Sequence, residues 1–248
     1  MSPLRFPSVP RFPSAPRVPS APRVLPVLLA LILPGCIIHI GSDGDWDSNG
    51  SHSSILQGSG VRGTQQRTPG EFERVRASTM GDVHVVVGAE PRVEVSCDDN
   101  LLDHIRTRVV DGELVIEGDG ESMAFRQSIR VEVGCAKLEG ATLSGSGKLK
   151  IEGLKGERFD ACLSGSGDLY ARGEAQRASL SLTGSGEVDC RELVAQESQF
   201  SLAGSGDVRV NARSRLSVSL SGSGGVRYSG EPTQVTRSVS GSGTIAPE

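Results

Sequence analysis

The chain has 248 residues, with 26 basic and 30 acidic side chains and a formal charge of −4. That length suits one domain with tails, and the acidic balance argues against a nucleic-acid partner. Aromatic residues make up 4 % of the chain, which leaves little material for platforms on which sugar rings stack.

Residues 1–35 differ from the rest. They hold nine of the 13 prolines, four arginines and no acidic residue. The apolar run in "VLPVLLALILPGC" follows this basic stretch and ends in a small residue before Cys36, which reads as a secretory signal. The run is too short to span a bilayer. Leu33-Pro34-Gly35-Cys36 resembles a bacterial lipobox, although Pro34 is a less usual filler. The resemblance implies cleavage before Cys36, a diacylglyceryl group on its sulfur and a membrane partner. A plain signal peptide with a chance cysteine is the alternative. Beyond residue 35 the chain has 22 basic and 30 acidic residues, a formal charge of −8.

Residues 36–68 are rich in Gly, Ser and Asp and read as a flexible tether. "GSGVRG" at 58–63 matches a dinucleotide-binding spacing, but it follows no predicted strand and opens no predicted helix.

The head is expected over residues 69–248. Alternating apolar and polar residues appear in "FERVRAST", "DVHVVV", "RVEVSC", "GELVIEG" and "SIRVEVG", a pattern of half-buried strands. "DG" at 111–112 predicts a hairpin. "DDNLLDHI" predicts a helical turn capped by Asp98 or Asp99. "TMGDVHV" at 79–85 looks like a worn copy of the later "GSGDLYA".

Clear repeats occupy residues 141–248. Six triplets Gly-Ser-Gly begin at Gly145, Gly165, Gly184, Gly204, Gly222 and Gly241, at intervals of 18 to 20 residues. A near-fixed period of this size marks a solenoid. Leu143, Leu163, Leu182, Leu202, Leu220 and Val239 precede the triplets by two positions, and polar residues alternate with them. The expected fold is therefore all-β, a parallel β-helix or solenoid of two-strand rungs, with a less regular N-terminal half. Gly145, Gly165, Gly184, Gly204, Gly222 and Gly241, and their partners Gly147, Gly167, Gly186, Gly206, Gly224 and Gly243, are expected to form its corners. The serine between them is expected to bond locally or to the serine one rung away.

The chain contains no G-x-S-x-G and no H-E-x-x-H. His39, His52, His84 and His104 are scattered, with His84 on the outward side of a strand. Asp168, Glu187 and Asp207 are expected on one outward ladder, begun by Lys148, which is either a Ca²⁺ site or a solvated face. Asp160, Asp168, Asp189, Arg191 and Arg209 are what a β-helix enzyme would have available, and none stands apart from ordinary surface. Cys190 is expected inward and Cys162 outward. Cys97 and Cys135 end similar strands and are candidates for a disulfide in an oxidising envelope. Two outward ladders are available for binding: Thr142, Ser181, Ser201, Ser219 and Ser238 on one sheet, and Lys150, Tyr170, Arg209 and Arg227 on another. No metal or cofactor is assigned.

"FERVRASTMGDVHVVVG", "DDNLLDHIRTRVVDGELVI", the "LSGSGDL"-type repeats and "YSGEPTQVTRSVSGSGTI" together resemble the bacterial family called putative auto-transporter adhesin, head GIN domain, over roughly residues 70–246. The resemblance implies a right-handed β-helix of two-sheet rungs and an adhesion role, with no catalytic residues to carry over. The expected function is that of a non-catalytic head on a cell-envelope lipoprotein, binding a polysaccharide or a protein surface. Envelope maintenance without an external ligand and a carbohydrate-active β-helix enzyme are the alternatives.

Overall fold

The computed structural model describes residues 55–248, so the signal segment and Cys36 lie outside the described residues. In chain order the strands are β1 (Leu56–Gln57), β2 (Arg62–Arg67), β3 (Arg74–Ser78), β4 (Asp82–Val87) and β5 (Arg92–Asp98). A 3-10 turn (Asp99–His104) leads to β6 (Ile105–Val110), β7 (Glu113–Gly118), β8 (Met123–Ala124) and β9 (Arg130–Cys135). Then come β10 (Gly140–Gly145), β11 (Lys148–Gly165), β12 (Asp168–Gly184), β13 (Glu187–Gly204) and β14 (Asp207–Gly222). The last are β15 (Gly225–Ser229), β16 (Gln234–Gly241) and β17 (Thr244–Pro247).

From β10 onward each strand lies parallel to its equivalent one rung away, the arrangement of a β-solenoid. The triplets stack in strict register, Gly145 on Gly165, Gly184, Gly204, Gly222 and Gly241. Both glycines of a triplet are required by the stacking. At Gly204, φ is +135°, and an added Cβ would lie 2.1 Å from the Gly184 carbonyl oxygen. At Gly206 it would lie 2.3 Å from the Gly186 carbonyl oxygen. The serine acts differently from expectation. Its backbone N–H donates to a glycine carbonyl of the preceding rung, as Ser205 does to Gly184 at 3.0 Å, while its side chain is exposed.

The uneven triplet spacing is absorbed at the opposite corner. Register shifts occur between Ile151 and Leu154, Tyr170 and Gly173, and Cys190 and Val194. A bulge there adds or removes a residue without moving the side chains of the triplet column to the wrong face.

Leu143, Leu163, Leu182, Leu202 and Leu220 are each 0–1 % exposed and form one column of the core. Ile151, Ala171, Cys190 and Val210 form another, and Phe159 and Phe200 are the largest of the fully buried side chains. A fully buried leucine contributes about 1.5–3 kcal/mol relative to an exposed one, so the column is a major part of what holds the rungs in line.

The N-terminal half is a solenoid whose rungs are out of chain order. β3, Thr79-Met80-Gly81 and β4 form a rung, and Gly147 packs directly on the Gly81 carbonyl, which makes "TMG" the first corner. β7 and β9 lie parallel against the other edges of β3 and β4. The chain thus passes below the β3–β4 rung before returning above it. Antiparallel strands close that end: β6 on β7, β5 on β9 and β2 on β5. Asp111 and Gly112, with φ of 50° and 72°, form the expected hairpin turn between β6 and β7.

Two expectations are corrected here. The expected tether does not run to residue 68, since β1 and β2 belong to the sheets of the head. Cys97 and Cys135 are buried free thiols, not a disulfide. β5 and β9 pair antiparallel with Arg92 opposite Gly134, so the two cysteines sit at opposite ends of the pair. Six residues of strand separate them, roughly 20 Å, far beyond the reach of a disulfide.

Candidate binding surfaces

Each rung from β11 to β14 turns two long outer surfaces to solvent. One is carried by the leg that precedes the triplet. There the inward residues are Phe159, Ala161 and Leu163, so Asp160, Cys162 and Ser164 take the outward register. Across the rungs this leg forms two hydroxyl ladders. The first runs Thr142, Cys162, Ser181, Ser201, Ser219 and Ser238. The second runs Ser144, Ser164, Thr183, Ala203, Ser221 and Ser240. Rungs repeat at about 4.8 Å and ladders on one leg lie about 6.6 Å apart. Among the described residues, none of these hydroxyls has a side-chain hydrogen bond inside the protein. The ladders carry no charge.

Cys162 keeps the outward register between Thr142 and Ser181, yet it is only 5 % exposed. Cys190 is inward, 1 % exposed, and burial pushes its thiol up to about 12. Burial likewise pushes Cys135 up to about 11.

The leg that follows the triplet is charged, and many of its charges pair with one another. Lys150 holds Glu152 at 2.7 Å, Arg172 holds Glu192 at 3.0 Å, and Arg191 holds Asp189 at 2.7 Å. His84 is outward as expected, with its two ring nitrogens 2.8 Å from Glu132 and 3.2 Å from Glu152. Burial works to raise the pKa of Asp189, but Arg191 outweighs it and holds the carboxyl below its ordinary value. Lys150, Tyr170, Asp189, Arg209 and Arg227 form the expected second ladder, with Asp189 filling its gap.

Asp168, Glu187 and Asp207 do stack on one ladder. Lys148 lies 3.7 Å from Asp168, and Arg209 pairs with Glu187. Among the described residues no group of three or more His, Cys, Asp or Glu is placed to hold a metal ion. Of the residues available to a β-helix enzyme, Asp160 is held by Arg158 at 2.7 Å and Asp189 by Arg191, while Arg209 is held by Glu187.

The sequence reading missed a buried carboxylate. Asp98 is fully buried and accepts backbone N–H bonds from Gly60 (2.7 Å), Arg126 (2.9 Å) and Gln127 (3.0 Å). Burial alone would raise its pKa, but the donations from Gln127, Gly60 and Arg126 hold it below the ordinary value. It therefore does not cap the 3-10 turn with its side chain. "GSGVRG" wraps this acid: the Gly60 N–H donates to it, an added Cβ on Gly58 would lie 2.5 Å from its carboxyl carbon, and the Ser59 hydroxyl donates to the neighbouring Asp99 at 2.5 Å. Also missed were Gln176 and Gln196, which recur twenty residues apart on the far corner.

A family profile described as putative auto-transporter adhesin, head GIN domain, matches residues 71–232. No curated protein matches the chain. Among solved structures, one described as a putative adhesin from Bacteroides fragilis is 23 % identical, with a TM-score of 0.61, covering 78 % of this chain and all of that one. Another putative adhesin, from Parabacteroides distasonis, is 19 % identical with a TM-score of 0.51, covering 79 % and 100 %. A structure from the same organism described as a putative lipid binding protein is 20 % identical with a TM-score of 0.50, again covering 79 % and 100 %. At these identities the likeness is one of fold.

Proposed function

The chain belongs to the putative auto-transporter adhesin, head GIN domain family, and from that premise we propose that it is a non-catalytic adhesive head on a cell-envelope lipoprotein. In this reading Cys36 carries the lipid, and the residues between it and β1 tether the head to the membrane. The neutral hydroxyl surface is the adhesive face. The observation that carries this is the contrast between the two legs of each rung. On one, most charges near the middle rungs are consumed in ion pairs; on the other, the serine and threonine hydroxyls of the two ladders have no side-chain hydrogen bond among the described residues.

A flat, periodic, uncharged surface suits an extended partner better than a small substrate. Among the described residues the inward positions are filled by Leu, Val, Ile, Ala and Phe, which leaves a packed core in place of a deep pocket. Each hydroxyl contributes only about 1 kcal/mol net. Adhesion then arises from many contacts per head and many heads per membrane.

The test displays residues 55–248 on beads at high density against matrix proteins and envelope polysaccharides. A variant with Ser181, Ser201 and Ser219 changed to Lys runs beside it. Capture by the wild type and loss in the variant is the expected result. Equal capture by both would remove the hydroxyl ladders from the mechanism, and no capture by the wild type would remove adhesion.

A further inference from the structure

The corner opposite the triplets has its own surface. Its inward positions hold Gly156, Ala175, Ala195 and Ala212, stacked in that order. Small side chains let the backbone sink toward the core. Outside, the surface is hollowed into two depressions of about 500 and 550 Å³. Both are lined by Glu157, Gln176 and Gln196, so they adjoin along that column of side chains and make one polar trough region crossing several rungs.

The trough is polar in a particular way. Gln176 and Gln196 stack one rung apart, between the pairs Ala175–Ala195 and Arg177–Glu197. Each amide offers donors and an acceptor, and one of them, Gln196, already accepts from Ser214 at 3.2 Å. Lys155, Arg177 and Arg213 add donors to the rim, and Glu157 and Glu174 add acceptors. Among the described residues, these five charged side chains and Gln176 have no hydrogen-bond or ion-pair partner inside the protein. That sets the trough apart from the charged leg, where cations and anions neutralise each other rung by rung.

We propose that this trough binds an extended neutral glycan lying along the solenoid axis. The inference rests on the reading of the head as a binding module, and it places a second site on a different surface. Hydroxyl groups both donate and accept, so they match alternating ammonium, guanidinium, amide and carboxylate groups. A polyanion would meet Glu157, Glu174 and Glu197, and a polycation would meet Lys155, Arg177 and Arg213; like charges facing each other oppose binding. The rung repeat of about 4.8 Å is close to the advance of one sugar in an extended β-1,4-linked chain. One residue of glycan thus meets one rung.

The experiment uses the full chain, purified in detergent and tested by calorimetry against cellohexaose, xylohexaose, chitohexaose and maltoheptaose, with polygalacturonate as the acidic counterpart. At least one neutral oligomer is expected to bind, more tightly than polygalacturonate. Gln176→Ala combined with Gln196→Ala is expected to weaken that binding at least tenfold with no change in melting temperature. Arg177→Gln, which keeps a donor, is expected to weaken it less than Arg177→Glu. Ser181, Ser201 and Ser219 changed to Lys should leave it unchanged. No binding to any neutral oligomer, preference for the acidic polymer, or indifference to the glutamine changes overturns the proposal. Loss only in the serine variant overturns it too, but leaves the hydroxyl-face reading standing.

Discussion

Substituting the three residues of one triplet separately distinguishes close backbone approach from side-chain chemistry. In Gly206→Ala the new Cβ falls 2.3 Å from the Gly186 carbonyl oxygen and 2.7 Å from a Leu182 methyl, where ordinary contact begins at 3.4 Å. The two rungs must open locally by about 1 Å, which forfeits packing as well as clashing. The bonds at risk are Asp207 N–H to Gly186 O at 3.2 Å and Gly225 N–H to Gly206 O at 3.1 Å. Two hydrogen bonds at about 1 kcal/mol each, with disturbed leucine packing, give a loss of about 2–4 kcal/mol. A domain of this size loses about 2–4 °C per kcal/mol, so the melting temperature is expected to fall by roughly 5–15 °C. Gly204→Ala meets the same obstruction at 2.1 Å and must also place alanine at φ +135°, which adds about 1–3 kcal/mol of strain. Ser205→Ala keeps the backbone N–H that bonds Gly184 and removes an exposed hydroxyl, so it is expected within about 0.5 kcal/mol of wild type. Calorimetric melts of the three variants decide the matter. Glycine variants that melt with the wild type, or a serine variant that falls with the glycine variants, would refute the role of close stacking.

Removing one whole rung, residues 165–183, keeps Gly on Gly, because Gly165 and Gly184 are in register. It is expected to melt well above a nine-residue deletion from the same start, which sets corners over strands; equal melting temperatures would contradict nearest-neighbour stacking. Asp98→Asn is expected to lower stability at pH 7, and the difference from wild type should shrink in acid. The folded pKa of Asp98 lies below its unfolded value, so its contribution is complete above about pH 4 and is lost as pH falls through the folded pKa; urea melts from pH 7 to pH 2 measure this. Cys97, Cys135 and Cys190 are expected to resist alkylation at pH 8 in the native state and to react in denaturant without prior reduction, since they are buried free thiols. Mass spectrometry of the mature N-terminus is expected to show an acylated Cys36, absent in Cys36→Ser; an unmodified N-terminus at another residue would rule out the lipid anchor.

The solenoid was legible in the sequence because it depends on local patterns repeated in step. Gly-Ser-Gly at a near-constant interval, with Leu143, Leu163, Leu182, Leu202 and Leu220 always two residues before it, specifies both the corner and the face that turns inward. Period-two alternation placed Phe200 and Tyr228 in the core, and Asp111-Gly112 announced its hairpin, since a turn with two positive φ angles has few other spellings. What tertiary structure alone decided is where non-local partners meet. That β3 and β4 lie between the β7–β9 rung and β10–β11, out of chain order, follows from edge pairing that no local pattern encodes. The antiparallel register of β5 and β9 separates Cys97 from Cys135, although their strand sequences look alike. Asp98 reads as a surface cap beside Asp99, and only the return of residues 60, 126 and 127 around it makes it a buried acceptor. At the far corner the repeat itself was legible, since Gln176 and Gln196 each stand eight residues before the next triplet glycine, but only the side-by-side packing of the rungs brings them with Glu157 to the rim of the same depressions.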